Sequence, residues 1–152
     1  MTLPPFQRLL DAHAGDVMRF LVGVVGRDDA DDAFQETLLS ALRAYPRLEH
    51  ADNLRAWLFT IAHRKATDVH RARARRPVPV GAVEERAAPE EPDGGDWELV
   101  RRLPDRQRSV LTLRYAADLS HREIAAVLGC SEDASRRAAA DGLKALRKEL
   151  DP

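Results

Sequence analysis

Between Arg76 and Asp96 the chain carries Pro77, Pro79, Pro89 and Pro92, Gly81, Gly94 and Gly95, and the acids Glu84, Glu85, Glu90, Glu91 and Asp93. Each proline removes a backbone donor and clashes with the preceding helical turn, and the like charges repel one another. The composition predicts a flexible acidic Pro/Gly linker over 77–95, which divides the 152 residues into an N-terminal unit, 1–76, and a C-terminal unit, 96–152. Both lengths suit small domains, and a large multidomain enzyme is excluded.

Hydrophobic residues make up 44% of the chain but aromatics only 5%, so the cores must be built mainly from Leu, Ala and Val, which favours helices over a sandwich. The net charge of -1 conceals a segregation: residues 51–76 hold seven basic and two acidic side chains, whereas 77–98 hold one and seven. Residues 99–152 are basic again, with eleven against eight. Two basic blocks separated by an acidic one suit two contacts with a polyanion and a repelling connector.

In the N-terminal unit Phe6, Leu9, Leu10, His13, Val17, Phe20, Leu21 and Val24 recur at helical spacing, with Gly26 as a stop. A second helix fits Asp29 to Tyr45, with Ala30, Ala33, Phe34, Leu38, Ala41, Leu42 and Tyr45 as its apolar face and Pro46 at its end. A third, capped near Asp52 and Asn53, runs towards Arg76. In the C-terminal unit Trp97, Leu99, Val100 and Leu103 suggest a short helix, and Pro104 sits at the start of the next. Ser120-His121-Arg122-Glu123 is a capping box, Gly129 can end that helix, and Ser131 caps a last one on which Ala139, Leu143, Leu146 and Leu150 align. The expected class is all-α: two small helical domains, the C-terminal one containing a helix-turn-helix.

Enzymatic chemistry finds no convergent groups, so the chain reads as a non-enzyme without cofactors. His63 and His70 lie two helical turns apart and lack a third metal ligand; they read as surface or phosphate-proximal residues. Asp28, Asp29, Asp31 and Asp32 suit a helix N-terminus better than a calcium loop. Cys130 is the only cysteine, which excludes an internal disulfide. The N-terminus lacks the pattern of a secretion signal, and no stretch approaches ~18 uninterrupted apolar residues. A cytoplasmic protein with no membrane insertion is expected.

Nucleic-acid binding is supported by independent features. Arg64, Arg71 and Arg75 form one stripe at i, i+7 and i+11 of the third helix, with Lys65, His70, Arg73 and Arg76 beside it and Trp57 and Phe59 upstream. Cations neutralise phosphates and an exposed aromatic stacks on an unpaired base. Trp57 reads equally well as core.

Four ordered segments carry a family resemblance: Ala30-Asp31-Asp32-Ala33-Phe34-Gln35-Glu36-Thr37, Asn53-Leu54-Arg55-Ala56-Trp57-Leu58-Phe59-Thr60-Ile61-Ala62, Leu103 through Tyr115, and Leu119 through Ser131. Together they resemble the extracytoplasmic-function sigma factors of bacterial RNA polymerase. The resemblance implies that residues 1–76 form region 2, docking on the clamp of the polymerase's largest subunit and melting the minus-ten element. Residues 96–152 would form region 4, sitting on the flap of the next-largest subunit and reading the minus-thirty-five element. The implied partners are RNA polymerase core enzyme, promoter DNA and an anti-sigma factor.

Asp32, Gln35, Glu36 and Leu39 then share one stripe for docking on the polymerase. DNA contacts fall to Asn53, Trp57, Arg64, Lys65, Arg71 and Arg75, and on the last helix to Ser131, Glu132, Ser135, Arg136 and Arg137. That helix departs from the family pattern: Ala138 and Asp141 replace commonly basic positions, Ser135 and Ala139 replace larger apolar ones, and Gly142 lies mid-helix. Looser packing and weaker DNA binding are expected. The alternative reading is a sigma-like adaptor or decoy that binds polymerase or a regulator without reading promoters.

Overall fold

The computed structural model describes residues 3–50, 52–75 and 96–151; the linker expected over 77–95 lies outside the described residues. Helix α1 (Phe6–Val25) is followed by α2 (Arg27–Ala44), a single 3-10 turn (Tyr45–Arg47), α3 (Leu54–Arg75), α4 (Asp96–Arg101), α5 (Asp105–Tyr115), α6 (His121–Leu128) and α7 (Glu132–Leu150). No strand occurs among the described residues.

Helices α1, α2 and α3 pack on one another. Val17, Phe20, Leu21 and Val24 of α1 and Leu58, Phe59 and Ala62 of α3 are buried in one apolar cluster, and Phe20 and Phe59 sit edge to face at 5.8 Å. The side chains that helix α2 buries outright are small, Ala30, Ala33, Thr37 and Ala41, which brings its backbone close, while Phe34 packs half-buried against the core beside them. Thr37 replaces the expected Leu38 at the centre of this face; its hydroxyl donates to Ala33 O at 2.7 Å, so the buried polar atom is satisfied within the helix. Leu42, expected on the apolar face, is 53% exposed. Once alanines set the spacing, a leucine at that register falls outside the contact.

The C-terminal unit is held by its helix ends. Ser120 Oγ accepts from Glu123 N at 3.1 Å while Glu123 Oε1 accepts from Ser120 N at 3.1 Å, so the capping box fixes the start of α6. Gly129 ends it in the left-handed conformation, φ 67°, which other L-residues adopt at a cost. Ser131 Oγ accepts from Ala134 N at 3.0 Å and starts α7. Helices α6 and α7 are thus joined by a turn of three residues.

Small residues on α7 tighten the packing. Ser135, Ala138 and Ala139 are buried, and a Cβ on Gly142 would lie 2.8 Å from Leu111 Cδ1. The looser packing expected from these residues is not found, because they set the distance at which α7 lies on α5. Leu150, aligned with the apolar face in the sequence, is 60% exposed, since α7 runs past the end of the core.

Helix α1 also touches α4 and α5, and α3 touches α6, so one continuous apolar cluster runs through both units. Gly23 makes the approach possible: a Cβ there would stand 2.8 Å from Thr112 Cγ2 and 3.4 Å from Trp97 Cε3. Arg101 donates to Val22 O at 3.1 Å, and Arg55 donates to Ala117 O at 2.6 Å and Asp118 O at 2.9 Å.

Candidate nucleic-acid interface and docking face

Three surfaces result from this packing. On α2, Asp32, Gln35, Glu36 and Leu39 are all exposed, as their spacing predicts, because the opposite alanine face is committed to α1 and α3. Leu39 is 46% exposed and Leu42, one turn on, 53%. Periodicity alone assigns Leu42 to the core; it belongs instead to the same outward apolar pair.

The second surface is the basic face of α3. Asn53, with φ 52°, accepts from Ala56 N at 3.1 Å through Oδ1 and so caps the helix while remaining exposed. Trp57 is half-buried, its ring 6.0 Å from that of Tyr45; it is packed on the core with one side open. Arg64, Arg71 and Arg75 are exposed and Lys65 half-buried. A groove of about 590 Å³ between α2 and α3 is lined by residues including Ser40, Arg64, Lys65, Asp68 and Arg71. Beyond Ser40 and Ala44 it continues into a hollow bounded by Arg43 and Arg47. Those two cations come from α2 and the 3-10 turn, so no helical periodicity within α3 could have pointed to them. Arg73, by contrast, is exposed but engaged within the fold, donating to Val25 O at 2.6 Å and pairing with Asp29.

His63 and His70, expected at the surface, are partly covered. Burial, then Arg108 across the packing, lowers the His63 imidazole below its ordinary value; the same causes take His70 from 6.5 down to about 4. The imidazoles near neutrality are therefore uncharged and add nothing to the basic face.

The third surface is the start of α7. Ser131 and Arg137 are exposed and Glu132 is half-buried. Arg136 pairs with Glu132 at 3.1 Å and Asp133 at 3.5 Å, which partly neutralises it. Ser135 does not reach this surface: it is fully buried and its Oγ lies 2.7 Å from His121 Nδ1. Ala138, placed among the basic DNA-facing positions by pattern, is also buried. Ser135 looks inward because α7 lies on α6 there. No group of three or more metal-ligating side chains occurs among the described residues, and no described helix is long and apolar enough to cross a membrane.

The family model for Sigma-70 region 2 matches residues 9–76 and that for Sigma-70 region 4 matches 97–146. The ECF RNA polymerase sigma factor SigD of Mycobacterium tuberculosis is 37% identical over 146 residues, covering 87% of this chain and 69% of its own. SigC of the same species is 30% identical, covering 96% and 83%. In fold, the chain is similar to the sigma factor RpoE solved with the anti-sigma factor NepR from Bartonella quintana, with TM-score 0.76 and 22% identity over 97% of this chain and 98% of that one. It is also similar to CnrH solved with the cytosolic domain of CnrY, at 0.73 and 24%, over 96% and 87%. With both sigma regions matched in order on one helical chain, and with relatives of this identity over most of their length, the chain belongs to the extracytoplasmic-function sigma factors, which direct RNA polymerase to specific promoters.

Proposed function

We propose a division of labour in which residues 1–76 dock on the polymerase and open the minus-ten element, 77–95 act as the connector, and 96–152 read the minus-thirty-five element. The observation that carries it is the separation of an acidic-apolar face on α2 from a basic face on α3 within one unit. Asp32, Gln35, Glu36 and Leu39, joined by Leu42, form the polymerase contact: an apolar centre in a charged rim is the usual anatomy of a protein interface. Arg64, Lys65, Arg71 and Arg75, with Arg43 and Arg47 across the groove, hold backbone phosphates, while Asn53 and the open side of Trp57 face an unpaired base. On α7, Ser131, Glu132, Arg136 and Arg137 face the groove of the upstream element. Arg137 is the stronger candidate for a guanine, because Arg136 must first leave two carboxylates.

The chain supplies placement, and the polymerase supplies the chemistry of RNA synthesis. Its place of work is the cytoplasm, where polymerase and promoters are. An anti-sigma factor is the proposed regulatory partner, since one of the solved proteins of this fold was captured with such a factor. The adaptor or decoy reading is not favoured, because the relatives matched over most of the chain are sigma factors. In vitro transcription with core polymerase and promoter fragments tests the proposal. Wild type should yield initiated RNA, and the Arg64, Arg71 and Arg75 triple alanine variant should assemble with core enzyme but initiate poorly. Equal initiation by the variant at moderate salt would refute the phosphate assignment.

A further inference from the structure

The helical threonines of this chain turn their hydroxyls back on their own backbone. Thr37, Thr60, Thr67 and Thr112 each donate to the carbonyl four residues earlier, at 2.7 to 3.0 Å. Ser135 of α7 does otherwise. Its side chain is fully buried, and its Oγ has a single hydrogen-bond partner among the described residues, Nδ1 of His121 at 2.7 Å. His121 is the first residue of α6 and is half-buried. The pair is therefore a directional bond between the two helices of the helix-turn-helix.

A buried hydroxyl must place its hydrogen on an acceptor. Nδ1 is the one partner in reach among the described residues, so Ser135 donates and Nδ1 accepts, and the proton of the neutral ring sits on Nε2. Burial lowers the imidazole below its ordinary value, with Arg114 and Arg136 acting in the same direction against Glu132, so the accepting form prevails near neutrality.

Ser135 lies one turn into α7. Arg136 and Arg137 project about 100° and about 200° round the helix from it, so seating Ser135 on α6 turns Arg137 to the outer side, where it is exposed. The buried Ala138 and Ala139 resist separation of α7 from its neighbours but do little to fix its rotation, because apolar burial is non-directional. A hydrogen bond weakens steeply below about 120° and fixes both distance and angle. Rotating α7 by about 20° would carry an atom about 6 Å from its axis through about 2 Å, well beyond the range of about 0.5 Å over which N–H···O bonds are made.

We propose that His121 and Ser135 are positioning residues for promoter reading: their bond fixes the rotation of α7 on α6, hence the aim of Arg137 and the choice of base in the upstream element. The inference rests on the proposed function, in which the start of α7 reads that element. Both residues act through Arg137 and not on the DNA themselves.

The test uses the full-length protein assembled with core polymerase and a pool of promoter duplexes randomised over the upstream element, with bound and free fractions sequenced near neutral pH. Ser135→Ala and His121→Ala should each lower the base preference at the most selective position by about three- to tenfold, and the double variant should lose no more than either alone. His121→Asn, whose Oδ1 takes the place of Nδ1 as acceptor, should keep the wild-type preference. The salt slope of binding should stay unchanged in all of them, because no phosphate contact is lost. His121 is half-buried, so its variants read the bond even where Ser135→Ala lowers stability. A merely structural role would weaken binding to all sequences alike and leave the preference intact; that result would overturn the proposal, as would equal losses in His121→Asn and His121→Ala. A wild-type chain without base preference would overturn the reading by α7 and the positioning role with it, whereas a wild-type preference that survives Ser135→Ala would overturn the positioning role alone.

Discussion

Gly142 offers a test in which two physical effects predict opposite signs. By helix propensity alone, Gly142→Ala should stabilise α7 by about 1 kcal/mol, because alanine loses less backbone entropy on folding. The packing argues the reverse. The added Cβ would stand 2.8 Å from Leu111 Cδ1, 3.3 Å from Leu111 Cγ and 3.4 Å from Gln107 Cβ. Leu111 is only 2% exposed and cannot swing into solvent, so α7 must lift from α5 or Leu111 must leave its rotamer. Overpacking of this kind costs about 1–3 kcal/mol, which leaves a net loss of about 1 kcal/mol after the propensity gain. In a chain of this size that is about 2–4 °C in melting temperature. Ala140→Gly, at an exposed site on the same helix, isolates the propensity effect and should lose about 1 kcal/mol. Urea unfolding followed by circular dichroism measures both as midpoint shifts at unchanged slope. If Gly142→Ala stabilised the protein by as much as Ala140→Gly destabilised it, α7 would not lie on α5 as described.

Leu39→Arg should reduce affinity for core polymerase at least tenfold with no change in melting temperature, because the side chain is exposed and the fold does not use it; unchanged binding in a titration would remove the docking assignment. Arg43→Ala with Arg47→Ala should weaken single-stranded promoter DNA binding in the holoenzyme and lower the salt slope by about 1.4, roughly 0.7 for each phosphate no longer neutralised. An unchanged slope would detach these residues from the nucleic-acid path. Ser120→Ala should cost about 1 kcal/mol through loss of the α6 cap, and Glu123→Ala should add less than its own cost in the double variant, because the two side chains form one reciprocal motif. Additive losses in urea unfolding would show that the two bonds act independently.

Local rules were sufficient for every feature whose cause lies within a few residues. Gly26 and Pro46, the Asn53, Ser120 and Ser131 caps, and the left-handed Gly129 all act where their local patterns predict, because a cap or stop is satisfied by its own backbone. The exposed stripe of Asp32, Gln35, Glu36 and Leu39 was likewise legible, since a helix committed on one face must present the other. Other features depended on partners distant in sequence. Periodicity cannot tell whether a leucine or a threonine faces the neighbour when alanines set the spacing, so Thr37 lies inside and Leu42 outside. Pattern left Ser135 both at an apolar position and among the DNA contacts, and only the fold turns it onto His121 of α6 and buries Ala138; nor could pattern show that Arg43 and Arg47 extend a groove begun by α3. Least legible was the inter-unit contact, where Gly23 admits Thr112 and Trp97 and Arg55 reaches the backbone at Ala117 and Asp118. Residues about sixty to ninety positions apart meet there, and what they do to one another depends on a distance and a burial that only the folded chain supplies.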